Sequence, residues 1–89
     1  MPQIELTITN KVGLHARPAS LFVQKASKYN SEITVYNGDE QADAKSILDL
    51  LMLGVNQGTV ITIQAEGEDA EQALAAIQSL HAANFGEKE

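Results

Sequence analysis

Gly13-Leu14-His15-Ala16-Arg17-Pro18-Ala19-Ser20-Leu21-Phe22-Val23-Gln24-Lys25-Ala26 is the stretch from which the rest of the chain can be ordered. Ala19, Phe22, Val23 and Ala26 recur at helical spacing and predict one buried stripe on a helix from about Ala16 to Lys28. Pro18 is compatible with that helix only in its first turn, where a missing N–H breaks no helical bond. The helix must therefore begin close behind His15, and Arg17, Leu21, Gln24 and Lys28 face solvent. Upstream, Ile4, Leu6 and Ile8 alternate with Glu5, Thr7 and Thr9, the pattern of a strand over Gln3–Thr9 with one wet face. Asn10 to Gly13 is the loop between the two.

Downstream, Glu32 to Tyr36 alternates again, with Ile33 and Val35 inward. Asn37-Gly38 is a strong hairpin signal for a type I′ turn, in which both central residues need positive φ. A short return strand follows at Gln41–Ala44. Ser46 to Leu53 reads as a short helix apolar almost all round, Gly54 to Gly58 as a loop, and Thr59 to Ala65 as a strand with Ile61 and Ile63 inward. Asp69 or a neighbour is expected to cap a last helix with the stripe Ala73, Leu74, Ile77 and Leu80. Phe85 to Glu89 reads as a polar, frayed tail. The order βαββαβα predicts one α/β (α+β) domain over residues 1–89, a two-layer sandwich with helices on one face of a mainly antiparallel sheet.

Composition narrows the function. The 89 residues suffice for one compact domain, and a hydrophobic content of 44% is enough for a core; with no Trp and two residues each of Phe and Tyr, that core is aliphatic. Six basic against twelve acidic residues give a formal net charge of −6. Such a chain is repelled by nucleic acid and by anionic membrane surfaces, so its expected partners are proteins with basic surface. The absence of Cys excludes disulfides and thiolate metal sites. MPQIELTITN has neither the basic nor the apolar region of a signal peptide, and no apolar stretch approaches the roughly 20 residues of a membrane span. The expectation is a soluble cytoplasmic protein.

The chemistry concentrates at His15. Gly13 permits a sharp turn, and Pro18 starts a helix just after the histidine, so the imidazole stands beside the N–H groups of Ala16 and Arg17, an anion site made by a helix start. Arg17 adds a permanent charge and a planar fork of donors suited to phosphate oxygens. Imidazole, with an intrinsic pKa near ~6.5, is a competent nucleophile at neutral pH. Phosphoryl transfer asks of a protein mainly positioning and charge stabilisation. Together these groups describe a phosphoryl acceptor, whereas the plainer alternative is a space-filling histidine beside an ordinary surface arginine.

The segments GLHARPA (residues 13–19), AKSILDL (44–50), GVNQGTV (54–60) and AEGEDAEQAL (65–74) resemble the HPr phosphocarriers of the bacterial phosphoenolpyruvate phosphotransferase system, nearly end to end and at the same spacing. The resemblance implies an open-faced four-stranded antiparallel sheet covered on one face by three helices. It implies that Enzyme I, itself charged from phosphoenolpyruvate, passes a phosphoryl group to Nδ1 of His15. Arg17 would steady the group, which would then go to the A domain of a sugar permease. The protein is then a stoichiometric carrier, not an enzyme, with no cofactor and no metal, and a monomer. It implies too a regulatory site at Ser46 for an HPr kinase, with a catabolite-control transcription regulator as a further partner. From the residues alone, Ser46 with Asp49 three positions on reads equally as a helix cap.

Ile47, Leu48, Leu50, Leu51, Met52 and Leu53 cannot all be buried in two layers, and periodicity does not decide among them. The resemblance implies that Ile47, Leu48 and Leu51 are exposed, with Leu50 and Leu53 inside. With Ser20, Leu21, Gln24 and Lys45 they would form a docking surface, the apolar part ringed by Arg17, Lys45 and Gln24. His81 reads as structural or half-exposed, and Glu66-Gly67-Glu68-Asp69 as a turn with acids favouring a helix start. Gly54 and Gly58 frame a turn, since no Lys-Ser/Thr follows them. Two alternatives remain. Leu50–Leu53 and Phe85-Gly86 resemble the nitrogen-branch regulatory paralogue, while Lys45-Ser46-Ile47 and AEGED resemble the sugar branch. A non-transferring adaptor that binds a transcription regulator is the other, opposed by the presence of His15 and Arg17.

Overall fold

A computed structural model describes residues 2–11 and 13–86. Its elements are β1 (Gln3–Thr7), α1 (Ala16–Ala26), β2 (Glu32–Asn37), β3 (Glu40–Asp43), α2 (Ile47–Met52), β4 (Val60–Glu66) and α3 (Ala70–Ala82), followed by a single turn at Asn84–Gly86. The four strands form one sheet in the order β1-β4-β2-β3, antiparallel at every pairing. β1 and β2 are thus parallel and one strand apart, and β4 fills the slot that the β1–α1–β2 crossover leaves open. Strand alternation sorts the side chains as expected: Leu6, Ile33, Val35, Ala42, Ile61, Ile63 and Ala65 are buried under the helices. Glu5, Thr7, Thr34, Tyr36, Thr62 and Gln64 lie on the other face. The helices contribute Ala19, Phe22, Ala26, Leu50, Ala73, Leu74 and Ile77 to the same core, with Val23 and Leu80 packed at its margin.

Three local expectations need correction. β1 ends at Thr7, yet Ile8 stays buried because the chain continues into paired backbone: Ile8 N–H donates to the Thr59 carbonyl at 2.9 Å and Gly58 N–H to the Ile8 carbonyl at 2.7 Å. The hairpin turn is shifted by one residue. Asn37 pairs with Glu40, so the central residues are Gly38 and Asp39, and only Gly38 has positive φ (61°). That pattern puts glycine first, as in a II′ turn, where the sequence suggests I′. Asn37 is thereby released to cap α2, its Nδ2 donating to the Leu53 carbonyl at 3.2 Å.

Asp69 occupies the N-cap of α3 but makes no side-chain cap bond. Its carboxylate accepts from the backbone N–H groups of Asn30 (2.8 Å) and Ser31 (2.9 Å) and from the Ser31 hydroxyl. It ties the α1–β2 connection to the start of α3. The Ser31 hydroxyl first, then the Asn30 amide, holds this carboxyl below its ordinary value of 3.8, against the opposing effect of desolvation.

The tail is the largest departure. Phe85 is fully buried and stacks on Phe22, ring centroids 5.9 Å apart and planes 11° from parallel; residues 87–89 lie outside the described residues. Both Asn84 (φ 58°) and Phe85 (φ 52°) adopt the left-handed region. At roughly 1–2 kcal/mol for each non-glycine residue the two cost about 2–4 kcal/mol together, much of which the burial of a phenylalanine, about 1.5–3 kcal/mol, offsets.

Phe85→Ala is expected to lower stability by about 3 kcal/mol, read as a fall in the urea midpoint with unchanged m. For Asp69, a depressed folded value means stability present above the unfolded carboxylate value and lost as pH falls through the folded one. Asp69→Asn should therefore be less stable than the parent at pH 7, and the two stability curves should converge once pH drops well below 3.8. A gap that stays constant down to the acid limit would contradict the role of the charge.

Candidate functional site

The site begins with a glycine that nothing else can replace. Gly13 has φ 72°, and a Cβ there would lie 2.1 Å from the Val55 carbonyl oxygen and 2.7 Å from Asn56 Cα. The close approach lets Leu14 N–H donate to the Val55 carbonyl at 3.1 Å, while the Leu14 side chain is buried. The loop after α2 therefore fixes the loop before α1, and His15 follows with extended backbone (φ −94°, ψ −171°) as the N-cap of α1. The His15 carbonyl accepts the first helical bond, from Ala19 N–H at 3.0 Å.

Pro18 falls at the third helical position and is buried, as its place in the sequence requires. Ala16 and Arg17 supply the amides that a helix start leaves without a carbonyl four residues back. The His15 side chain makes no cap hydrogen bond and is half-buried. Arg17, in the first turn, is exposed. A histidine N-cap, two first-turn N–H groups and an arginine thus belong to one helix end with no acidic residue in its first turn. That arrangement can take and hold a phosphoryl group.

α2 runs antiparallel to α1. Its C-terminal end meets the His15 loop through Val55, and its N-terminal end meets the far end of α1, where Lys45 Nζ donates to the Tyr29 carbonyl at 2.7 Å. An eleven-residue helix spans about 16 Å, so the Lys45 ammonium does not ring His15. The expected ring of Arg17, Lys45 and Gln24 is therefore corrected for Lys45, which the antiparallel packing places at the Tyr29 end. Ser46 lies at that same far end and is the N-cap of α2, its Oγ accepting from Asp49 N–H at 3.2 Å.

Between the two ends, Ile47 (40%), Leu48 (64%) and Leu51 (39%) are exposed while Leu50 and Leu53 are buried, the division that the family resemblance implies. Met52, 72% exposed, extends the apolar strip beyond the expected set. Ser20 is half-buried and Gln24 exposed on the adjoining face of α1, with Gln24 Nε2 at 3.5 Å from Ser20 Oγ. Leu21, expected to be exposed, is half-buried, since α2 packs against α1. His81 is half-buried and structural: its Nε2 lies 2.7 Å from the Thr7 carbonyl and its ring meets the edge of Phe85. Among the described residues no group of three or more His, Cys, Asp or Glu is placed to hold a metal ion, and no helix is long and apolar enough to cross a membrane.

The chain is similar to known proteins over nearly its whole length. The family model described as "PTS HPr component phosphorylation site" matches residues 2–83. The phosphocarrier protein HPr of Mycoplasma capricolum is 47% identical over 78 residues, 88% of either chain. The phosphocarrier protein NPr of Shewanella violacea is 46% identical over 83 residues, covering 93% of this chain and 91% of its own. HPr of Thermoanaerobacter tengcongensis has been solved twice. One structure superposes with a TM-score of 0.95 at 47% identity over the full length of both chains. The other, described as a dimer, gives 0.79 at 48% identity over 98% of this chain and 100% of that one.

Gly13→Ala is expected to cost roughly 2–4 kcal/mol, because left-handed strain and a backbone clash add. Its amide spectrum should change at both 13–17 and 54–58, and changes confined to one loop would contradict the joint.

Proposed function

The chain belongs to the HPr family of phosphotransferase-system phosphocarriers, and on that premise we propose that His15 accepts a phosphoryl group from phospho-Enzyme I and gives it to the A domains of sugar permeases. The observation that carries the reading is the position of His15 at the N-cap of α1, directly before the first-turn amides and Arg17. In the step proposed, the Nδ1 lone pair of His15 attacks phosphorus as the P–N bond of the donor phosphohistidine breaks. The donor ring, protonated at its other nitrogen, leaves as neutral imidazole, and His15 Nε2 gives its proton to water once the new bond has formed. Ala16 and Arg17 N–H groups and the Arg17 guanidinium take up charge on the three equatorial oxygens. The return to a free imidazole is the same step in the other direction, so the protein is a stoichiometric carrier that needs no cofactor.

Docking is assigned to Ser20, Leu21, Gln24, Ile47, Leu48 and Leu51, with Met52 added; Lys45 joins them at the Ser46 end only. Apolar side chains of α2 supply the area, and the acidic remainder of the surface favours partners with basic rims. Ser46 lies at the opposite end of this strip from His15. A kinase-added phosphate there would put charge beside Asp49 and alter which partners, including a catabolite-control regulator, dock. The reading takes the protein as one cytoplasmic domain, working as a monomer. A nitrogen-branch role is the second reading, favoured by the likeness to the Shewanella NPr and by the Phe85-Gly86 ending.

The deciding experiment is incubation with phosphoenolpyruvate, Mg²⁺ and catalytic Enzyme I of either branch, followed by intact-mass analysis. The expected product is one acid-labile phosphoryl adduct, absent in His15→Ala, formed faster with the sugar-branch enzyme. Leu48→Asp should raise KM for transfer at least about tenfold with kcat little changed. No adduct with either Enzyme I would remove the carrier reading.

A further inference from the structure

The turn at Asn84–Phe85 is joined to the His15 segment by two separate routes. One is polar. Asn10 Nδ2 donates to the Asn84 carbonyl at 3.1 Å, and Thr9 Oγ1 to Asn84 Oδ1 at 3.3 Å. The Asn10 carbonyl then accepts Gly13 N–H at 3.0 Å, the Gly13 carbonyl accepts His15 N–H at 3.2 Å, and the His15 carbonyl accepts Ala19 N–H at 3.0 Å. An unbroken series of hydrogen bonds leads from the end of the chain to the N-cap of α1.

The other route is apolar. Phe85 stacks on Phe22, and Phe22 lies on the face of α1 that also buries Pro18 and Ala19 directly behind His15. His81 closes the arrangement from the side: its ring meets Phe85 edge-on, centroids 5.8 Å apart and planes at 77°, while its Nε2 reaches the Thr7 carbonyl. A carbonyl can only accept, so that nitrogen carries the proton. A helix that merely had to stop could do so at a glycine. Here two successive non-glycine residues are held at positive φ, a conformation that persists only where surrounding contacts enforce it.

We propose that Asn84 and Phe85 form a strut that positions His15 for phosphoryl transfer, Asn84 acting through Asn10 and Phe85 through Phe22. The proposal rests on the carrier reading for its purpose, and its structural half stands independently. The strut braces the loop before His15 and the helix behind it at once. Phosphoryl transfer between two proteins tolerates little misplacement of the attacking nitrogen, so loosening either arm acts on kcat more than on docking, whose residues lie on α2 and the outer face of α1.

The test compares Phe85→Ala, the volume-retaining Phe85→Leu, Asn10→Ala and a distant core control, Ile33→Val, all well below their unfolding midpoints. In the unphosphorylated proteins, ¹⁵N relaxation of the 13–17 amides and the His15 imidazole resonances report positioning directly. Single-turnover transfer from phospho-Enzyme I then separates kcat from KM. The strut predicts lowered order at 13–17 and a kcat reduced roughly tenfold or more in Phe85→Ala and Asn10→Ala, with KM near the parent value. Phe85→Leu should recover most of the loss, and Ile33→Val should change neither readout. Parent-like order and kcat in Phe85→Ala, or an equal loss in Ile33→Val, would overturn it. Should the parent itself take no phosphoryl group, the carrier reading falls, and the relaxation data still decide whether the strut positions His15.

Discussion

Backbone pressed on backbone at Gly13 and Val55 is the contact from which the rest of the site follows. No side chain intervenes, so the two loops stand as close as peptide groups allow, and Leu14 N–H finds its acceptor across the gap. The contact sets where α1 begins and where α2 ends. Because α2 must run back from there along α1, one of its faces is left without a helix partner, and Ile47, Leu48, Leu51 and Met52 stay exposed along it. The proposed reactive group and the proposed docking surface are both placed by one loop crossing. A fold that put α2 anywhere else would need a separate device to bring partners to His15.

What the sequence made legible was local. Pro18 can occupy only the first turn of a helix, and that single restriction places His15 at the cap without knowledge of anything distant. Strand alternation identified the inward residues of β1, β2 and β4 for the same reason. Periodicity failed where two local rules competed. Asn37-Gly38 and Gly38-Asp39 are both acceptable turn pairs, and the choice was made by the carbonyl of Leu53, to which Asn37 donates from β2. Asp69 read as a cap because it precedes a helix; its carboxylate is taken by Asn30 and Ser31, far away in sequence. Phe85 stands outside any periodic stripe, and nothing local marks Phe22, far away in sequence, as its partner. The exposed residues of α2 were undecidable from spacing, and only the family pattern separated Leu48 from Leu50.

The distribution of charge bears on what kind of phosphoryl site this is. A chain with a formal charge of −6 would repel a further anion, so the group needs local compensation from the helix amides and Arg17. Both are weak in this setting. Arg17 is exposed, and a solvated ion pair contributes about 0–1 kcal/mol; a helix start adds a similar amount. Deep burial of the same groups would hold a phosphate far more firmly, and a carrier that did so could not release it. On the proposed reading, a half-buried histidine next in sequence to an exposed first turn would keep the bound group close in free energy to that on the next partner. In this fold the shallow site is therefore a functional property. Under the proposed reading it also shifts the burden of rate acceleration to the partner, whose docking on α2 would exclude water and strengthen the electrostatics at His15.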